Sequence, residues 1–97
     1  MALYSIQLNK LPAQSFGVVL GDQDCRIDLY IRGDQLYFDL QKNNEYLYKG
    51  VLCLDRSNLT PFKYRGFEGK LYFVDLEGQD APDYKQFNER FVLIYEL

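Results

Sequence analysis

Hydrophobic and polar residues alternate with a period of two along most of this chain, and Gly, Asn and Pro interrupt the alternation. This period is typical of β-strands, whereas the 3.6-residue period of helices is nearly absent. The pattern predicts seven strands: Leu3–Leu8, Ser15–Leu20, Cys25–Arg32, Gln35–Gln41, Tyr46–Leu54, Lys70–Leu76 and Arg90–Glu96. One helical turn is predicted within Tyr84–Glu89. We therefore expect an all-β fold, a small barrel or sandwich of about seven mostly antiparallel strands.

The clearest local signal is a hairpin whose turn is formed by Gly33 and Asp34. If Arg32 faces Gln35, the apolar residues of both strands fall on one face and the polar and tyrosine residues on the other, so the register is well specified. The predicted cross-strand pairs are Ile31–Leu36, Leu29–Phe38 and Ile27–Leu40 on the apolar face, and Tyr30–Tyr37 and Asp28–Asp39 on the opposite face.

A second tight turn is predicted at Asn43 and Asn44. It leads into the strand Tyr46–Leu54 and completes a central β-meander of three strands. The pairing fits less well there, because uninterrupted alternation places Lys49 on the apolar face.

Composition limits the classes of function that fit the chain. The 97 residues make one domain, 1–97, and nine Tyr and seven Phe favour strands and interfaces. The net charge of −3, without a basic stripe, argues against contact with nucleic acid. No signal peptide or membrane-spanning run is apparent, so we expect the chain to fold in a cytoplasm with Cys25 and Cys53 as reduced, buried thiols.

Four acidic residues lie close together in sequence: Asp75, Glu77, Asp80 and Asp83. Carboxylates at suitable spacing could bind a metal ion or cleave a glycosidic bond. The stretch fails the pattern of a calcium loop, however, and a solvated acidic turn stiffened by Pro82 is the favoured interpretation. The chain has no His to serve as a base or as a zinc ligand. We expect no enzyme activity, no metal and no cofactor.

Two features of the predicted meander suggest contacts with other molecules. Asp28 opposite Asp39 is an unfavourable pair of like charges. Either nearby cations screen it, which is the favoured reading, or a basic group of a partner does so. The candidate local cations are Arg26, Arg32 and Lys42.

A ladder of four tyrosines follows the same strands: Tyr30, Tyr37, Tyr46 and Tyr48. Tyrosine gives a large contact area at low entropic cost, so we favour a protein interface. The alternative is a carbohydrate-binding module that recognises a host surface glycan by stacking sugars on these rings.

Six segments of the chain form an ordered series: "LGDQDC", "LYFDL", "GVLCLDR", "YRGFEGKLYFVDLEG", "DAPDY" and "RFVLIY". This series resembles the small baseplate plug proteins of bacteriophages with contractile tails, and the resemblance extends from about Leu3 to the C-terminus. In place of the Gly-Leu-Gly turn of the family pattern, this chain has Gln86-Phe87-Asn88. Asn88 can adopt the left-handed conformation at modest cost, and Gln86 does so less readily.

The resemblance implies a structural virion protein that plugs the tail tube at the baseplate after assembly in the host cytoplasm. Its implied partners are the hub and tail-tube proteins, in an assembled oligomer that needs no contact with nucleic acid or membrane. Gly66 and Gly69 are expected to expose Phe67 to a neighbouring subunit. The candidate interface residues are Tyr30, Tyr37, Asp28, Asp39, Tyr48, Tyr64 and Phe67.

Overall fold

The computed structural model describes residues 2–62 and 65–97. Its strands are β1 (Leu3–Ile6), β2 (Ala13–Leu20), β3 (Gln23–Arg32), β4 (Gln35–Lys42), β5 (Glu45–Leu52), β6 (Lys70–Asp75) and β7 (Phe91–Glu96). A 3₁₀ helix, Tyr84–Gln86, lies where a helical turn is predicted. Among these residues, no helix is long and apolar enough to cross a membrane.

The seven strands form two antiparallel sheets that pack as a sandwich and do not close into a barrel. One sheet has the order β1-β7-β6 and the other the order β2-β3-β4-β5. Both sheets contribute to one core, in which Ile27, Phe38 and Leu40 meet Phe73 and Leu93. The predicted all-β fold with a central meander, β3-β4-β5, is therefore confirmed.

The predicted register of the β3–β4 hairpin is also confirmed. Leu29 pairs with Phe38, and on the opposite face Tyr30 pairs with Tyr37. Asn43 and Asn44 form the next turn with positive φ values of 53° and 69°. Asparagine tolerates this left-handed conformation better than most residues, which is why the chain can reverse there.

The structure resolves the poor fit at Lys49 through two irregularities in β5. The register between β4 and β5 shifts on both sides of Leu40, so that Leu40 faces Tyr48 and Phe38 faces Val51. Gly50, at φ 65°, supplies the backbone conformation that a bulge of this kind requires. As a result Tyr48 turns into the core and Lys49 becomes exposed. A register based on uninterrupted alternation is wrong for this strand.

The two sides of the sandwich differ. On one side, the segment after β5 crosses to the other sheet, where Asp55 bridges to Phe73 and the Leu59 amide donates to the Leu71 carbonyl at 2.8 Å. On the other side lie β1 and β2, each of which is hydrogen-bonded to a single neighbouring strand.

The two cysteines are buried and free, as predicted. Cys25 lies on the inner face of β3, and Cys53 follows β5 and donates its amide to Leu36 at 2.9 Å. Burial raises the pKa of both thiols, and Cys53 is affected more strongly.

Candidate assembly surfaces

The outer face of the four-stranded sheet brings together four of the predicted interface residues. Tyr30 and Tyr37 stack with ring centroids 6.1 Å apart and an interplanar angle of 22°. The Arg32 guanidinium lies 5.6 Å from the centre of the Tyr30 ring. Both tyrosines remain partly exposed. We call Tyr30, Arg32 and Tyr37 the tyrosine patch; Asp28 and Asp39 pair directly beside it.

Hydrogen bonds within the chain stabilise the two adjacent carboxylates. Asp39 Oδ1 accepts from Tyr30 Oη at 2.9 Å and from the Gly50 amide at 2.6 Å. The Ser15 hydroxyl donates to Asp28. Burial, followed by the hydrogen bond to Asp39, raises the pKa of Tyr30. Each carboxylate of the like-charged pair therefore has a hydrogen-bond donor within the chain.

Among the described residues, none of the three cations predicted to screen the pair, Arg26, Arg32 and Lys42, forms an ion pair with either acid. Lys42 reaches away from the acids and donates to the Gly66 carbonyl at 2.7 Å, and Arg32 lies over a tyrosine ring. In the part of the chain that the structure describes, no ion pair involves Asp28 or Asp39. The groups that donate hydrogen bonds to the two carboxylates are neutral, and the β5 bulge directs one of them, the Gly50 amide, at Asp39.

In the acidic stretch at the end of β6, Asp75 and Asp80 form ion pairs with Arg90. Arg90 Nε and Nη2 donate to Asp75 at 2.7 and 2.8 Å, and Nη2 also donates to Asp80 at 2.8 Å. These bonds lower the pKa of Asp75, further helped by the amides of Glu77 and Asp80. The interpretation as a solvated turn is therefore wrong for Asp75, which is buried, while Glu77, Asp80 and Asp83 are exposed. No group of three or more His, Cys, Asp or Glu within 2–62 and 65–97 could hold a metal ion.

A further surface, which the sequence analysis missed, lies between β1 and β2. The two strands border an apolar cleft of about 440 Å³. Tyr4 and Val19 are largely exposed beside it, and Leu97 lies at its rim. The sequence signal was the absence of charged residues from both strands, "LYSI" and "AQSFGVVL".

Nearly the whole chain matches one protein family. The model of the family described as cyanophage baseplate Pam3 plug gp18 matches residues 3–97. The chain belongs to this family. The resemblance to baseplate plug proteins is thereby confirmed, and the family is one of structural baseplate proteins, which is not an enzyme class. A comparison with curated proteins found no match.

One predicted contact residue of this plug-family chain, Phe67, lies in the core. Its side chain is 4% exposed and packs edge-to-face against Tyr95, with ring centroids 5.7 Å apart. The expectation that two glycines expose it is wrong. Gly69, at φ 100°, lies so close to β7 that an added Cβ would be 2.6 Å from the Tyr95 ring and 2.8 Å from the Glu96 carbonyl. This close approach holds the loop against β7, where Phe67 turns inward.

Hydrogen bonds from the two sheets hold the same loop in place. The Gln23 side chain accepts from the Glu68 amide at 2.9 Å and donates to the Glu68 carbonyl at 3.0 Å. Tyr95 Oη donates to that carbonyl at 2.8 Å. The loop is therefore part of the folded body, and its residues are poor candidates for a flexible docking arm.

Tyr48 and Tyr64 are the two remaining interface candidates. Tyr48 is 4% exposed, and its hydroxyl donates to the Phe62 carbonyl at 2.9 Å and accepts from the Phe62 amide at 3.0 Å. It is a core residue because the β5 bulges turn it inward, so its assignment to an interface is wrong. Tyr64 lies outside the described residues. The Lys49 ammonium lies 4.4 Å from the Tyr46 ring centre, so the predicted tyrosine ladder does not form one continuous platform.

The departure from the family pattern at Gln86-Phe87-Asn88 has a structural role. Asn88 adopts the left-handed conformation, with φ 69°. Its side chain accepts from the Leu8 amide at 3.0 Å and donates to the Leu8 carbonyl. Phe87 is fully buried and stacks on Phe73 with centroids 5.7 Å apart. The turn thus ties the start of the chain to the core.

Proposed function

We propose that this protein closes the tail tube at the baseplate hub of a contractile phage tail, through contacts with hub and tail-tube proteins. The observation that carries the proposal is the family match over residues 3–97. The whole chain acts as a single plug domain, 1–97, in an assembled oligomer. It reaches the virion baseplate after assembly in the host cytoplasm, without contact with nucleic acid or membrane.

The tyrosine patch is the proposed contact surface on the sheet. Tyr30 and Tyr37 are stiffened by stacking on each other, so that little side-chain entropy remains to be lost on binding. Arg and Tyr are enriched at the energetic centres of interfaces, and Arg32 already lies over the Tyr30 ring. Because Asp28 and Asp39 have local donors, a partner need not neutralise them.

The proposed role is non-enzymatic and requires no cofactor. Its support is the structural nature of the family and the use of Asp75 in an ion pair that stabilises the fold. The glycan-binding alternative loses its main motivation, because Tyr48 is in the core and Lys49 lies over Tyr46.

Co-expression with the hub and tail-tube proteins tests the proposal. We expect a complex on size-exclusion chromatography with light scattering, and Tyr37→Arg should weaken it by about 30-fold, which corresponds to about 2 kcal/mol. Leu76→Arg is the control, because it adds the same charge at a side chain that is 59% exposed and follows β6 of the other sheet. Absence of any complex with the wild type would contradict the proposal. A change in tyrosine fluorescence on titration with host polysaccharide would favour the glycan alternative.

A further inference from the structure

The strands β1 and β2 form an open edge on one side of the sandwich. Each strand pairs with one neighbour, β7 and β3 respectively. The β2–β3 turn consists of Gly21 and Asp22, both with positive φ, so Leu20 and Gln23 form the hydrogen-bonded pair that closes the hairpin. Hydrogen-bonded pairs alternate along an antiparallel ladder. The amides of Ser15, Gly17 and Val19 therefore point away from β3.

The cleft beside the open edge is apolar. Inward-facing side chains of both strands line it, among them Tyr4, Phe16 and Val18. Tyr4 faces the cleft and is 53% exposed, whereas Val19, which is 67% exposed, alternates with Val18 and lies on the outer face of β2. No side chain that lines this cleft carries a charge. A charged side chain placed in this cleft would lose its hydration without gaining contact with a side chain of opposite charge.

The other sheet edges are protected against added strands, and the open edge is not. On the opposite side, β5 carries Glu45, Lys49 and two register shifts, and the bridge from Asp55 covers part of β6. Charges, bulges and covering segments are the usual means of blocking edge pairing. By contrast, β2 runs eight residues in unbroken register without a charge or a proline.

We propose that the open edge binds one extended segment of another baseplate protein, which adds to β2 as a further strand and covers the cleft. This inference rests on the proposed function. The segment is uncharged and carries apolar residues at alternate positions facing the cleft, to match the neutral lining. The β2 strand of a second copy is also uncharged, so occupation by a second copy is the competing outcome that the experiment distinguishes.

Two substitutions block the edge in different ways. Val18→Lys places a charge in the mouth of the cleft, and Val19→Pro removes an outward-pointing amide without removing a bond to β3. Val74→Lys is the matched control, because Val74 is also a partly buried strand valine but lies on β6, away from the cleft. Urea denaturation of each variant establishes that it is folded before its binding is measured.

The probe is the hub and tail-tube proteins co-expressed with the chain. We expect Val18→Lys and Val19→Pro to weaken the complex at least 10-fold and Val74→Lys to leave it unchanged. In the wild-type complex, hydrogen exchange at the amides of Ser15, Gly17 and Val19 should slow. The exchange measurement needs no variant, so it decides the matter if a substituted chain fails to fold.

The remaining outcomes separate this inference from the proposed function. A wild-type complex with unchanged exchange at these amides, or with equal binding by all folded variants, would overturn the inference and leave the proposed function standing. No wild-type complex would overturn both. Self-association of the isolated wild type that Val18→Lys abolishes would make a second copy the occupant, and the inferred baseplate segment would be wrong.

Discussion

Substitution of Phe67 by Ala tests whether the loop between β5 and β6 belongs to the core. The ring is 4% exposed and packs edge-to-face with Tyr95. Truncation of a buried phenylalanine costs about 3–5 kcal/mol, of which about 1 kcal/mol reflects loss of the aromatic pair. Since domains of this kind have unfolding free energies of about 5–15 kcal/mol, the variant should be severely destabilised.

Urea denaturation measures this loss directly. With a slope of about 2 kcal/mol per molar urea, the midpoint should fall by about 1.5–2.5 M. Leu76→Ala is the control, since its side chain is 59% exposed and its loss should cost no more than about 0.5 kcal/mol. If Phe67→Ala unfolds cooperatively within about 1 kcal/mol of the wild type, the side chain is not a core residue and our reasoning about this loop is refuted.

The buried cysteines, the Asp75 carboxyl and the close approach at Gly69 give three further predictions. Cys25 and Cys53, whose pKa values burial raises, should react with a thiol reagent only after denaturation, and rapid reaction of the native protein would contradict their burial. The Asp75 carboxyl has a lowered pKa when folded, so its contribution to stability is present above the unfolded pKa of about 3.9 and is lost as pH falls through the folded value. The difference in unfolding free energy between wild type and Asp75→Asn should therefore shrink in acid, and a difference independent of pH would refute this. Gly69→Ala should cost more than the same change at Gly33, where an added Cβ meets nothing within 4 Å, and equal urea midpoints would count against the close approach to β7.

The sequence by itself determined the strands and the central hairpin. Alternation with a period of two defines which face of a strand is buried, and the turn at Gly33 and Asp34 sets which residues pair. It therefore placed Tyr30 beside Tyr37 and Asp28 beside Asp39 correctly. These are local relations, since residues joined by a short turn have little freedom to pair otherwise.

Local pattern did not predict β5 or the position of Phe67. The bulges that turn Tyr48 inward depend on Gly50. They also depend on Asp39 of the neighbouring strand β4, whose carboxylate accepts a hydrogen bond from the Gly50 amide. Phe67 is buried because its loop lies against β7 near Tyr95, 28 residues later in the chain. Neither contact leaves a periodic signal in the sequence around the residue that it positions.

One candidate surface follows from the sequence and the other only from the tertiary structure. The tyrosine patch follows from the hairpin register, whereas the adjacent acids Asp28 and Asp39 accept hydrogen bonds from Ser15 and Gly50 of two other strands. The open edge between β1 and β2 exists only because the chain assigns these strands to different sheets and covers the opposite side of the sandwich. Sequence periodicity states which face of a strand is apolar, but only the packing of distant strands decides which edges and faces remain uncovered.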